Sequence, residues 1–506
     1  MKERLAFGFG SRRDAVPAAV SGASASSTQP TQGGPPSRPD VGSVASARRL
    51  APAEPRDWAF TWTLIFTAVL FLRPQDVIAP LEFLHLAELS AIAGLTALFF
   101  SRLSRGQPIT RMTPEFMGVI ALGGVILLTA PFSIWIGGSI KVFTDLYVKV
   151  ILVYLLAVNV IDSPRRLERL TWLLVLSVGY LGFRAVLDYA RGVNMVAQGT
   201  RVAGAVGGIM QNPNDLALNM VALLPLAAFM AMRPGSPVRR LVAAFCGVFM
   251  LGAIVASGSR GGFIGFCAMV VALGVFVARQ RPIVVVAGMM AVMCALPLAP
   301  SSYWRRIASI TDSSKDDYQS SEARRELFGE SFDAFVQNPL TGVGAGEFKD
   351  WNPRGRTQAW HESHNVWLQV AAELGILGVA VMAFLVSRGF LAVVQTRRLL
   401  KRLRPPPSRR RRVPTGPGPE PSAVLSEYEA TLLDALSAAM MASLVGWLAC
   451  SLFASVAYNW TFYYLLVLAA APRDILRARM APVTPTRRSS PAASRLVRSL
   501  GTEVGA

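Results

Sequence analysis

A chain of 506 residues that is 52% hydrophobic and 16% charged, with a mean hydropathy of +0.41, carries more apolar side chain than a soluble core of that size accommodates. Its net charge of +20 would suit a nucleic-acid binder, but the basic residues stand at the ends of apolar runs, which argues against that class. Cys246, Cys267, Cys294 and Cys450 are scattered inside apolar stretches, as small packing residues are, and not as a disulfide framework or a zinc site.

In chain order, residues 1–56 are rich in Ala, Ser, Pro and Gly and lack an apolar core segment, so they read as a disordered cytoplasmic tail and not as a cleavable signal. From 57 onward, largely uncharged runs long enough to cross about 30 Å of hydrocarbon as helix recur. They fall near 58–72, 80–100, 114–134, 141–161, 170–190, 213–232, 240–257, 261–278, 282–299, 365–395, 431–457 and 460–473. The expected fold is therefore an all-α polytopic integral membrane protein of about twelve spans. Spans one to nine occupy 57–299, a large loop occupies 300–363, the tenth span occupies 364–395, a basic Pro-rich linker 396–430, the last two spans 431–473, and a basic tail 474–506.

The arginines orient this bundle. Arg102, Arg105 and Arg111, then Arg165, Arg166 and Arg169, then Arg233, Arg239 and Arg240, then Arg279 and Arg281 follow alternate spans, as do the run from Arg397 to Arg412 and the set Arg473, Arg477 and Arg479. Both termini are thus predicted on the positive, cytoplasmic side.

The remaining loops face outward, and three of them are chemically unusual. The segment 191–215, RGVNMVAQGTRVAGAVGGIMQNPND, is glycine-rich, carries Arg191 and Arg201, and ends in a turn that opens a helix. GSRGG at 258–262 sets Arg260 between two apolar runs. The loop 300–363 contains SEARRELFGESFDAFV at 321–336, with Leu327, Phe328, Phe332, Phe335 and Val336 at helical spacing, as in an amphipathic helix lying on a membrane surface. It then runs through NPLTGVGAG and ends at His361-Glu362-Ser363-His364-Asn365, holding two of the chain's three histidines.

Arg260 has a bland reading as a snorkelling residue or a helix cap. Its glycines and the helix start that follows favour another, because a cation beside a helix N-terminus is unfavourable unless an anion lies between them. A planar guanidinium suits a phosphate or diphosphate, and Arg201 on the same face would be a second donor. His364, otherwise an ordinary interfacial histidine, has the side chain whose proton affinity suits a general base. No carboxylate pair or Cys/His set with metal-ligand spacing stands in the outward loops, so no metal and no cofactor are expected. Glycosyl transfer from a lipid diphosphate fits this set, since the leaving charge can rest on arginine and no nucleotide pool exists outside the cytoplasm.

QNPNDLALNMVALLPL at 211–226, SGSRGGFIGF at 257–266, RRELFGESFDAFVQNPLTGVGAGEF at 324–348 and HESHNVWLQVAAELGILGV at 361–379 together resemble the O-antigen ligase and polymerase superfamily of bacterial lipid-linked glycan transferases. The resemblance implies a GT-C-like fold with one large periplasmic loop, in the bacterial inner membrane. It implies metal-independent transfer of a glycan from an undecaprenyl diphosphate carrier to an acceptor hydroxyl on lipid A core, on a growing glycan or on a protein. By position it makes Arg260 a diphosphate contact and His364 the activating base, with Arg201 as a second phosphate contact. Arg324 or Arg325 would help hold the donor, His361 competes with His364, and Arg191 and Asn365 complete the substrate-binding candidates. Within this chemistry, ligase, polymerase and protein O-oligosaccharyltransferase remain alternatives. From other classes, an anion or solute transporter would use the same arginines, and a scaffold for envelope assembly would not need His364.

Overall fold

A computed structural model describes residues 57–197, 199–204, 210–278, 300–308, 310, 320–351, 362–403 and 425–480. The tail at 1–56, the apolar run at 282–299, His361, most of the basic linker and the tail beyond 480 lie outside the described residues.

The described residues fold mostly into helices: α1 (Trp58–Leu72), α2 (Leu86–Ser104), α3 (Pro114–Thr129), α4 (Ile136–Val160), α5 (Pro164–Arg191), α6 (Pro213–Met232), α7 (Pro237–Ala256), α8 (Arg260–Ala278), α9 (Ser301–Ala308), α10 (Ser320–Gln337), α11 (Val366–Leu403), α12 (Glu427–Ser451) and α13 (Trp460–Met480). The starts are written locally. Thr113-Pro114, Ser163-Pro164 and Asn212-Pro213 each place a capping side chain, which accepts a first-turn backbone N–H, before a proline that needs no hydrogen-bond partner there. Ser426 and Glu429 form a reciprocal capping box at α12.

Among the described residues, eight helices are long and apolar enough to cross a membrane. The shorter apolar helices Trp58–Leu72 and Arg260–Phe276 and the helix α13 coincide with three further expected spans, and the expected span at 282–299 lies outside the described residues. Several helices outrun their apolar stretch. α11 continues to Leu403 and α13 to Met480, because Lys and Arg heads reach past the hydrocarbon while the backbone stays helical.

α6 and α12 are the buried axis of the bundle, whereas α2 and α7 are peripheral and turn side chains such as Leu241, Phe245 and Val248 outward. Close helix contact is made by small residues. A side chain at Gly265 would strike Cys450 Sγ, one at Gly262 would strike Ala217, and one at Gly179 would strike Cys246, so α8 lies against both α12 and α6, and α5 against α7. Cys246 and Cys450 thus serve as packing residues, while Cys267 is exposed.

At one end of the bundle, a buried carboxylate joins three helices. Glu115 of α3 receives both terminal nitrogens of Arg473 of α13, at 2.7 and 2.9 Å, and Arg388 of α11 at 2.7 Å. The opposite end collects the termini 191, 213, 256, 260, 366, 451 and 460, and there the unusual loops meet.

Candidate active site

The first of these loops is a two-stranded hairpin, β1 (Met195–Val196) and β2 (Arg201–Val202), that follows the Gly192 cap of α5. It delivers Arg201 to the start of α6. The motif there divides its work: Asn212 caps the helix, Pro213 occupies the first position, and Asn214 Oδ1 accepts from Arg201 Nη2 and from Ser259 Oγ, each at 2.8 Å. Arg201 Nε also donates to the Ser257 carbonyl at 2.8 Å. One asparagine therefore ties the hairpin arginine to the turn between α7 and α8.

That turn is the GSRGG stretch. Gly258 adopts φ +57, a left-handed conformation that glycine enters without penalty, and a side chain on it would press on Arg201 and on Arg306. Ser259 accepts the Gly262 N–H, and α8 begins at Arg260, which is buried. Gly261 and Gly262 are helical; they are small because Phe453 and Ala217 pack against them. Of the glycines flanking Arg260, one serves the backbone and two serve packing.

Arg306, which the sequence reading did not single out, closes the group. It lies on α9, which packs on α8, and its Nε donates to the Gly258 carbonyl at 2.8 Å. Its sequence signal was the Arg305-Arg306 pair in a loop assigned to the side where basic residues are scarce. The result is a concentration of positive charge. Burial first, then the fields of Arg306, Arg324 and Arg260, pull the Arg201 guanidinium down to about 9. Four guanidiniums so placed repel one another, and a polyanion among them would remove that cost.

Arg324 and Arg325 stand on α10. With His364, Ser363, Phe328, Gly329, Phe332, Leu368, Leu452 and Phe453 they line a cleft of about 580 Å³. Arg324 is thus common to the arginine group and to the cleft that holds the histidine, and Phe453 links the cleft to the α8 start. Arg325 is on the exposed side of α10. Arg191 is exposed in the last turn of α5 and is not among the charges that act on Arg201.

α10 differs from the expected stripe. Its inner face is Leu327, Ser331 and Ala334, packed with Val343, Phe348 and Ala372, whereas Phe328, Phe332 and Val336 are exposed. The glycine-rich strap that follows is held against a break in α11. Val343 N donates to the Ala372 carbonyl, Gly344 N to the Glu373 carbonyl and Gly346 N to Glu373 Oε2, while Ile376 N donates to the Pro339 carbonyl. Gly375 makes the break, at φ 63 and ψ −161.

His364 sits just before α11 with φ +49, a left-handed backbone unusual for a residue with a side chain. Its N–H donates to Ser455 Oγ at 2.8 Å. Asn365 caps α11, its Oδ1 accepting from Trp367 and Leu368 N–H, so this expected substrate contact has a structural task of its own. Among the described residues, no three His, Cys, Asp or Glu side chains are grouped so as to hold a metal ion.

A polytopic helical bundle with a cluster of arginines beside a histidine-bearing cleft is the class that fold and site define. A family model described as O-antigen ligase matches residues 245–383, from within α7 to within α11, and the resemblance read from the sequence motifs is thereby borne out. Arg260, Arg306, Arg324 and His364 lie inside the matched stretch, and Arg201 and Ser455 outside it. The family points to glycosyl transfer of the ligase or polymerase type. No curated protein matches the chain.

Proposed function

We propose that this chain transfers a glycan from a polyprenyl diphosphate carrier to an acceptor hydroxyl, in the manner of an O-antigen ligase. The observation that carries this reading is the convergence of Arg201, Arg260, Arg306 and Arg324 at one spot, within reach of the cleft that holds His364. In the proposed reaction, the bond between the anomeric carbon and the diphosphate oxygen breaks, and the electron pair leaves with the diphosphate. The arginines hold that charge where it develops, which lowers the barrier without further reorganisation. His364 accepts the proton of the attacking hydroxyl, and the new glycosidic bond forms at the same carbon.

The distribution of arginines supports placing this end of the bundle at the periplasmic face of a bacterial inner membrane, with both termini cytoplasmic. The acceptor is lipid A core in this reading. A growing polysaccharide or a protein would use the same donor chemistry.

Complementation in the native host tests it. His364→Ala and Arg260→Ala are expected to lose surface glycan modification, the former by about 10²–10⁴-fold in transfer rate, with membrane insertion intact and His361→Ala retaining substantial activity. Wild-type glycans in the His364→Ala strain would sink the general-base assignment. In the deletion strain, lipid A core without polymer identifies a ligase, and single-repeat caps identify a polymerase.

A further inference from the structure

The connection between α12 and α13, residues 452–459, is laced along the first turns of α11. Ser455 Oγ accepts the His364 N–H at 2.8 Å and lies 3.3 Å from Ser363 Oγ. Two residues on, Ala457 N donates to Gln369 Oε1 at 3.2 Å, and Tyr458 Oη donates to Glu373 Oε2 at 2.7 Å. Donor and acceptor therefore meet about once per turn of α11. The same loop presses Phe453 against Gly261, one residue beyond Arg260.

His364 is the strained point of this contact. A left-handed backbone at a residue with a side chain is strained and persists only where the surroundings impose it. Asn365 fixes the helix on its far side, and the backbone N–H of His364 itself is held by Ser455.

We infer that Ser455 is a positioning residue: by accepting the His364 N–H, it sets the backbone from which the imidazole is directed into the cleft. This rests on the reading of His364 as the base. Ser455 is only partly buried, so a methyl group can be added beside its hydroxyl. Thr and Val at this position have the same shape and differ in that hydroxyl.

Carbethoxylation of the full-length protein by diethyl pyrocarbonate, followed by peptide mass spectrometry, reports each of the three histidines separately. It is paired with glycan transfer in the native host. Ser455→Val should change the labelling rate at His364 severalfold and lower transfer about tenfold, the loss of roughly one hydrogen bond. Ser455→Thr should restore both, with His85 labelling unchanged in each variant as the mark of an intact fold. Equal behaviour of the Thr and Val variants at His364, whether both normal or both altered, would overturn the inference. Normal transfer by His364→Ala, with labelling at His364 still sensitive to Ser455→Val, would leave the positioning in place and remove the base assignment instead.

Discussion

Arg201 reaches its place by a hairpin, Arg260 by a helix start, Arg306 by a short surface helix and Arg324 by α10, the lid helix of the cleft. Each is unremarkable alone, and their meeting is what supports the proposed diphosphate site. Inorganic diphosphate should therefore stabilise the purified protein. An increase of about 2–4 °C in melting temperature is expected for wild type near saturation, and none for Arg201→Ala or Arg306→Ala; an unchanged shift in both variants would separate the arginines from the ligand. Arg260 was legible because it breaks the charge asymmetry that orients membrane helices. Arg306 broke the same rule but stood in a polar loop, where a charge draws less notice. Ser455 had no signal at all, since a serine in an apolar loop is ordinary and its importance lies in a partner some ninety positions away.

The break in α11 shows what a motif cannot say by itself. Glycines at 342, 344, 346 and 375 take positive φ, and those at 261 and 262 do not, yet in the sequence all six simply read as glycine. A side chain at Gly375 would stand 2.6 Å from the Leu340 carbonyl carbon, and its backbone lies where other residues are strained by on the order of 1–3 kcal/mol. Gly375→Ala should detach the strap, lowering both melting temperature and transfer, whereas Gly124→Ala, which meets open space in α3, should change neither. The period of the lid helix was legible and its inward face was not. Ser331 is fully buried through a hydrogen bond to the Leu327 carbonyl, while Phe328 and Phe332 turn toward the cleft. Periodicity locates a stripe, but the side that is covered depends on the strap and on α11, which arrive later in the chain.

Across the molecule, charge does two kinds of work at opposite ends of one bundle. At the site it is concentrated in like sign. At the other end Glu115 and Asp474 balance Arg388 and Arg473 within hydrogen-bond distance, and Glu115 and Arg473 have no exposed side-chain surface. Removing one partner of such a pair costs about 3–5 kcal/mol, because the other is left buried and uncompensated. Glu115→Ala should thus lower stability in denaturation from detergent by that amount, and joint replacement by Glu115→Leu and Arg473→Met should recover most of it. A sequence reading assigns Arg473 to the basic flank of the last span. Only the fold shows that its partner lies 358 positions earlier.

The stretch that matches the O-antigen ligase family carries Arg260, Arg306, Arg324 and His364, but several of its residues are held from beyond its borders. Ser259 shares the Asn214 that binds Arg201, Gly265 fits Cys450, and His364 rests on Ser455. The recognisable part is therefore not a transplantable cassette. A chimera that moved residues 245–383 into another bundle would leave behind Asn214, Cys450 and Ser455, on which Ser259, Gly265 and His364 rest.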